Sequence, residues 1–354
     1  MSNVEDRPEE IVCRAGGDAD DDSEASVRAA GGVPVEILSS REVPLGGPRA
    51  MLVRRTLPQR RRSLIGAWCF ADHYGPEDVS TSGGMDVAPH PHTGLQTVSW
   101  LFAGEITHID SGGNRGAVRP GEVNLMTSGG GICHSETSTS DTSILHGVQL
   151  WLALPDPARE EAPRAFEHFV PPVTPLPGGE LLVFLGELSG AESPVDTFTP
   201  ILGAELRVDP GATVELAVRT EFEHGFLVDS GDVEIEDVAV PAAALAYTGI
   251  GAERISIRNR GDDPARIVVL GGEPFPEEII MWWNFVGRTG EEILAFREQW
   301  QERTERFGEV EGYVGHGGPG ANAQGQSWLP APELPLSHFK PRKNPPPHAR
   351  PDHD

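Results

Sequence analysis

Cysteine is scarce: Cys13, Cys69 and Cys133 are the only three in 354 residues, and no two share a paired spacing. That excludes a disulfide framework and a CxxC-type zinc site. No run of 18 apolar residues occurs. The smoothest stretch, 239–252, is broken by Pro, Thr and Gly, so no membrane-spanning helix is expected. Basic charge is in deficit, with 28 Lys and Arg against 54 Asp and Glu and a net charge of −26. Proteins that neutralise phosphates need a basic face, so general nucleic-acid binding is not expected. The opening MSNVEDRPEE lacks the basic region and apolar core of a secretion signal. A cytoplasmic protein, monomeric and without membrane contact, is the expectation.

Turn-forming residues are abundant instead, with 42 Gly and 32 Pro. They separate short period-2 runs at 97–102, 145–154, 181–188, 205–208, 213–218, 225–228, 233–235, 254–257 and 266–270, each rich in Val, Ile, Leu and aromatics. Many short strands between turn signals predict an all-β protein of sandwich or barrel type. The Pro-rich stretch at 171–180 divides two strand-rich halves, 33–170 and 181–307. The similar size of the halves hints at duplication. Residues 1–32 carry GGDADDDSEAS and read as a disordered acidic tail. Residues 308–354 read as an irregular Gly/Pro-rich tail. One helix is predicted: Thr289 and Glu292 form a capping box, Ile293, Phe296, Trp300 and Phe307 share a face, and Gly308 ends it.

The chemistry concentrates in the first half. His90 and His92 in APHPHTGLQTV are two residues apart, so on a strand both point to one face. His134 and Glu136 in GGGICHSETS repeat that spacing. Two such strands meeting in one barrel would offer three imidazoles and a carboxylate to one metal. That donor set suits Fe(II), Mn(II), Ni(II), Cu(II) or Zn(II), and on an octahedral ion it leaves two positions open. Asp72, His73, His108 and His146 are weaker candidates, with His108 and His146 read as structural. Cys133 is expected to face the core, away from its neighbour His134. The glycines at 129–131 suggest a tight turn or, alternatively, space for a planar ligand. Phe102, Met126 and Trp151 suggest an apolar wall or plain core. Arg54, Arg55, Arg60, Arg61 and Arg62 form a basic cluster that could meet an acidic partner or the chain's own carboxylates.

The segments LPQRRRSLIGAWCFADHYGP, PHPHTGLQTVSWLFAGEITHIDSGGNRG, RPGEVNLMTSGGGICHSE and LHGVQLWLALP, with IMWWNFVGRTGEEI in the second half, are similar to the pirin family of bicupins. The resemblance implies two tandem cupin barrels with metal, usually iron, in the first. Its metal ligands map onto His90, His92, His134 and Glu136. Gln96 stands where many cupins carry Glu, and Ala67–Trp68 where pirins usually read Pro-Phe. Some pirins resemble quercetinases, which open a flavonol with O2 and release carbon monoxide. On that analogy the substrate is a small aromatic such as a flavonol, and Glu136 is the catalytic base. Other pirins are iron-containing regulators, which makes a redox-sensing protein with a protein partner the second expectation. A cupin with a merely structural metal is the third.

Overall fold

The computed structural model describes residues 33–45, 51–156, 158–335, 339–341 and 344–347. The acidic head at 1–32 lies outside them. The chain enters through β1 (Val35–Leu38), β2 (Arg41–Leu45), β3 (Met51–Leu57) and the long β4 (Trp68–Asp78). It continues through β5 (Asp86–His92), β6 (Leu95–Ala103), β7 (Ile106–Asp110), β8 (Arg115–Val118), β9 (Val123–Thr127), β10 (Ile132–Ser138) and β11 (Ile144–Ala153). One turn of helix, α1 (Ala158–Glu161), leads to β12 (Ala165–Phe169) and β13 (Thr174–Leu176). Then follow β14 (Gly179–Leu185), the short β15 (Glu187–Leu188) and β16 (Ala191–Glu192), β17 (Ile201–Val208), β18 (Thr213–Ala217) and β19 (Glu223–Ser230). The second half closes with β20 (Val233–Ile235), β21 (Val238–Val240), β22 (Leu245–Thr248), β23 (Arg254–Asn259) and β24 (Ala265–Gly272). The C-terminal part carries β25 (Ile280–Trp282), β26 (Phe285–Gly287), α2 (Gly290–Gln301), β27 (Val314–Gly315) and β28 (Gly318–Pro319).

These strands build the same architecture twice. In the first half a seven-stranded sheet, β2-β3-β4-β11-β6-β9-β12, packs on a four-stranded one, β5-β10-β7-β8. In the second half β13-β14-β17-β24-β19-β22-β1 packs on β18-β23-β20-β21. All of these pairings are antiparallel, and strand order corresponds one to one, so the duplication that faint sequence identity left open is plain in the topology. The two large sheets pack face to face through a shared apolar cluster holding Trp68, Trp100, Leu150, Phe184, Leu227 and Leu270. Trp100 stacks on Phe184 with centroids 4.7 Å apart, and its indole N–H donates to Glu205 at 2.7 Å.

Three sequence expectations need correction. Residues 33–170 are not all used in the first unit: β1 pairs with β22 in the second. The 171–180 stretch is not a bare linker, because β13 and β14 form a hairpin there. The helix is capped as predicted, Thr289 accepting from the Glu292 N–H at 3.2 Å. It stops at Gln301, however, because Arg303 turns into the left-handed region (φ 55°). Phe307 still joins Ile293, Phe296 and Trp300 in one buried cluster, reached from a loop rather than a helix.

Candidate metal centre

The strand β5 reads DVAPHPH, and prolines inside a strand need explaining. Pro lacks an N–H to donate, so it is tolerated only at a sheet edge or a bulge. The strand is the edge of its sheet, and its pairing with β10 shifts register between His134 and Glu136. The alternation then puts Pro89 and Pro91 on one face and His90 and His92 on the other. An open edge invites further strand pairing, and here the C-terminal tail covers it. The Leu329 N–H donates to the Pro89 carbonyl at 2.9 Å, and Tyr313 Oη donates to Asp86 Oδ1 at 2.7 Å.

His134 stands directly across from His90 in the β5–β10 ladder. Its Nε2 lies 2.7 Å from His90 Nε2 and 3.1 Å from His92 Nε2. All three rings are buried. Burial lowers the His90 imidazole to about 4 and takes His92 and His134 well below their ordinary value, the neighbouring rings adding to the effect. The rings are therefore neutral near pH 7, each with one N–H and one lone pair. His90 Nδ1 lies 2.9 Å from the Ala88 carbonyl. A carbonyl only accepts, so Nδ1 carries the proton and Nε2 presents a lone pair. Two ligands at right angles, each about 2.1 Å from an ion, stand about 3.0 Å apart. The nitrogen spacing here fits a single transition-metal ion.

Glu136, buried on β10, groups with His134 and His108, their candidate ligand atoms all within 4.8 Å of one another, rather than with His90 and His92. His108, which the sequence suggested was structural, lies with Nδ1 3.2 Å from His134 Nδ1. Phe166 stacks on its ring at 4.7 Å. Tyr74 also belongs to this surrounding. Burial and then the Glu136 charge hold its phenol well above the ordinary range. The Asp110–His108 pair went unremarked in the sequence, although its H-x-D spacing is the same two-residue signal.

Other expected site residues fall elsewhere. The turn at 129–131 holds no space for a ligand at Gly129: a Cβ there would lie 2.1 Å from the Ala162 carbonyl. Trp151 does wall the centre, its ring edge-on to His92 at 5.2 Å. Phe102 does not; it packs edge-on against His146 at 4.8 Å. Trp68 lies in the contact between the two units, donating to the Leu202 and Gly271 carbonyls. Gln96 donates to Thr127 Oγ1 at 3.0 Å. Cys133 is buried on the reverse face of β10, where burial pushes its thiol up to about 11.

A second cluster spans both units. His73 and His146 each approach Asp229 Oδ1, at 2.7 and 2.6 Å. Arg266 pairs with the other carboxylate oxygen at 3.2 Å. The basic segment is largely consumed internally. Arg55 grips Asp72 with two bonds at 2.7 and 2.8 Å. Arg62 pairs with Glu36 at 3.0 Å and lies over Tyr247. Arg54 contacts His73 and donates to the Gly75 carbonyl. Of the five, Arg60 is exposed and Arg54 and Arg61 are partly so.

In the second unit, β18 and β23 occupy the places of β5 and β10. Their buried residues are Val214, Leu216, Ile255, Ile257 and, at the end of β23, Asn259, with Val214 opposite Ile257 and Leu216 opposite Ile255. Aliphatic side chains thus stand in the strands that correspond to those carrying the histidines.

Fold and site define a bicupin with a cluster of metal-competent imidazoles in one barrel. The pirin family model matches residues 50–152, and that of the pirin C-terminal cupin domain matches 203–308. The chain belongs to the pirin family. It is 41% identical over 279 residues to a Pseudomonas aeruginosa protein named "Putative quercetin 2,3-dioxygenase", covering 78% of this chain and 87% of that one. It is 34% identical over 211 residues to human pirin, covering 58% and 72% of the two chains. The crystal structure of a quercetin 2,3-dioxygenase from Acinetobacter baumannii superposes with a TM-score of 0.79 at 36% identity, covering 87% of this chain and 98% of that one.

Proposed function

We propose that the chain is a metal-dependent dioxygenase of quercetinase type, its ion held by His90, His92, His134 and Glu136. The convergence of three neutral Nε2 atoms within 2.7 and 3.1 Å carries the reading. Lone pairs repel at that distance unless a cation or proton lies between them. Fe(II) is the ion we favour, with Mn, Ni, Cu or Zn able to use the same donors. When bound, the ion acts as a Lewis acid and brings O2 and a flavonol-like substrate together. The protein's own part is to hold the three imidazoles together, with His90 turned by the Ala88 carbonyl, to exclude water with Trp151 and Phe166, and to offer Glu136 as the base for the substrate's enol proton.

The test is oxygen uptake by iron-loaded protein given quercetin, beside the His134→Ala variant. Uptake that requires quercetin, iron and His134 supports the reading; full activity in the variant overturns it. The regulatory alternative draws on the five arginines as a partner surface, and the burial of Arg55 and Arg62 in internal ion pairs removes two of the five from it.

A further inference from the structure

We propose that Asp110 and His108 are positioning residues that fix the proton of His134 on Nδ1 and so turn its Nε2 toward the metal. The inference rests on the metal centre proposed above. It begins with the β7–β10 ladder, which sets Asp110 opposite His134 and His108 opposite Glu136.

Asp110 anchors the chain of bonds. Its Oδ1 accepts from the Gly112 N–H at 2.8 Å, the Asn114 N–H at 3.1 Å and Asn114 Nδ2 at 3.1 Å. A carboxylate receiving so many donors is an acceptor throughout. His108 Nε2 lies 3.3 Å from Asp110 Oδ2, so Nε2 carries the N–H. A neutral imidazole has only one such proton, which leaves His108 Nδ1 as an acceptor. The atom facing it at 3.2 Å is His134 Nδ1, which must then be the donor. His134 Nε2 is left bare, and it is the atom that faces His90 and His92. Each assignment forces the next. The Phe166 ring, stacked at 25° on His108, holds the imidazole plane in place. Outer partners of this kind typically matter roughly 10- to 100-fold in metal affinity.

The experiment is 15N NMR of histidine-labelled, metal-free protein at about pH 8, above the ordinary imidazole range. A chelator-competition titration with Zn(II) runs beside it. His134 is expected to show a protonated Nδ1 and a bare Nε2. His108→Phe keeps the stack on Phe166 but removes the acceptor. It should release His134 to the other tautomer and weaken Zn(II) by roughly 10- to 100-fold, with stoichiometry unchanged. His108→Gln restores an acceptor oxygen and should recover much of both signals. A protonated Nε2 on wild-type His134, or a His108→Phe protein with unchanged tautomer and affinity, overturns the proposal. If wild-type protein binds no Zn(II), the metal reading falls, while the NMR result still decides the tautomer. Far-UV circular dichroism on both variants separates lost positioning from lost folding.

Discussion

His73 Nε2 lies 2.7 Å from Asp229 Oδ1, and that bond joins the large sheet of one unit to that of the other. His146 shares the same oxygen. Removing the carboxylate takes the shared acceptor from two imidazoles and leaves Arg266 with Glu205 alone. Breaking a buried, hydrogen-bonded charge cluster typically costs about 3–5 kcal/mol. Asp229→Ala should lose stability on that scale in urea unfolding, with metal stoichiometry unchanged. A loss below about 1 kcal/mol would show that the cluster does not hold the units together.

His224 predicts acid lability. It is buried in the second barrel, and neither ring nitrogen has a hydrogen-bond partner among the described residues. Burial lowers its pKa to about 4. The unfolded chain therefore takes up the proton first, near pH 6.5, and the folded state resists it until about 4. Stability from this group is full above about pH 6.5 and falls as pH drops toward 4, by about 3 kcal/mol in all. His224→Leu should flatten that part of the pH profile in urea titrations. Parallel profiles for variant and wild type would refute the assignment.

Gly129 and Gly113 separate backbone strain from collision. Both have positive φ, 51° and 87°. A Cβ at Gly129 meets the Ala162 carbonyl at 2.1 Å, whereas one at Gly113 meets nothing within 4 Å. Alanine at Gly113 should cost about 1–2 kcal/mol, the left-handed penalty alone. Alanine at Gly129 should cost more and also weaken metal binding, because the turn leads directly into β10. Equal losses at the two positions would contradict the packing described.

A bound ion should stabilise the fold. Free metal at about 100 times its dissociation constant adds about 2.7 kcal/mol. Thermal melts with Fe(II), Ni(II) or Zn(II) should rise accordingly, return with chelator and stay flat in His134→Ala. A shift of equal size in that variant would place the ion elsewhere.

What the sequence made legible is what strand periodicity controls. His90 with His92, and His134 with Glu136, needed only two-residue spacing and a strand to carry them. The pirin resemblance supplied the second cupin. What stayed hidden depends on partners far along the chain. His108 reaches His134 through a ladder register that no local pattern encodes. Asp229 lies 156 residues from His73. Spacing alone left the five arginines open between a partner surface and pairing with the chain's own carboxylates, because it says nothing of burial, and Arg62 finds Glu36 and Tyr247 only once β1 and β22 are adjacent. The helix was read too long because its apolar face continues into Phe307, which reaches the same cluster by another path.

The placement of β1 and β12 bears on motion. Each unit gives away the strand that precedes it: β1 leaves for the second large sheet, and β12, which leads into β13, stays with the first. The topology is that of an arm-exchanged dimer written into one chain. Two such arms forbid a hinge, since the barrels cannot swing apart without unzipping a β ladder on each side. A cut between Leu154 and Ala165 would yield two fragments, each holding a strand the other lacks. The fragments would recover a closed fold by finding each other rather than by folding alone.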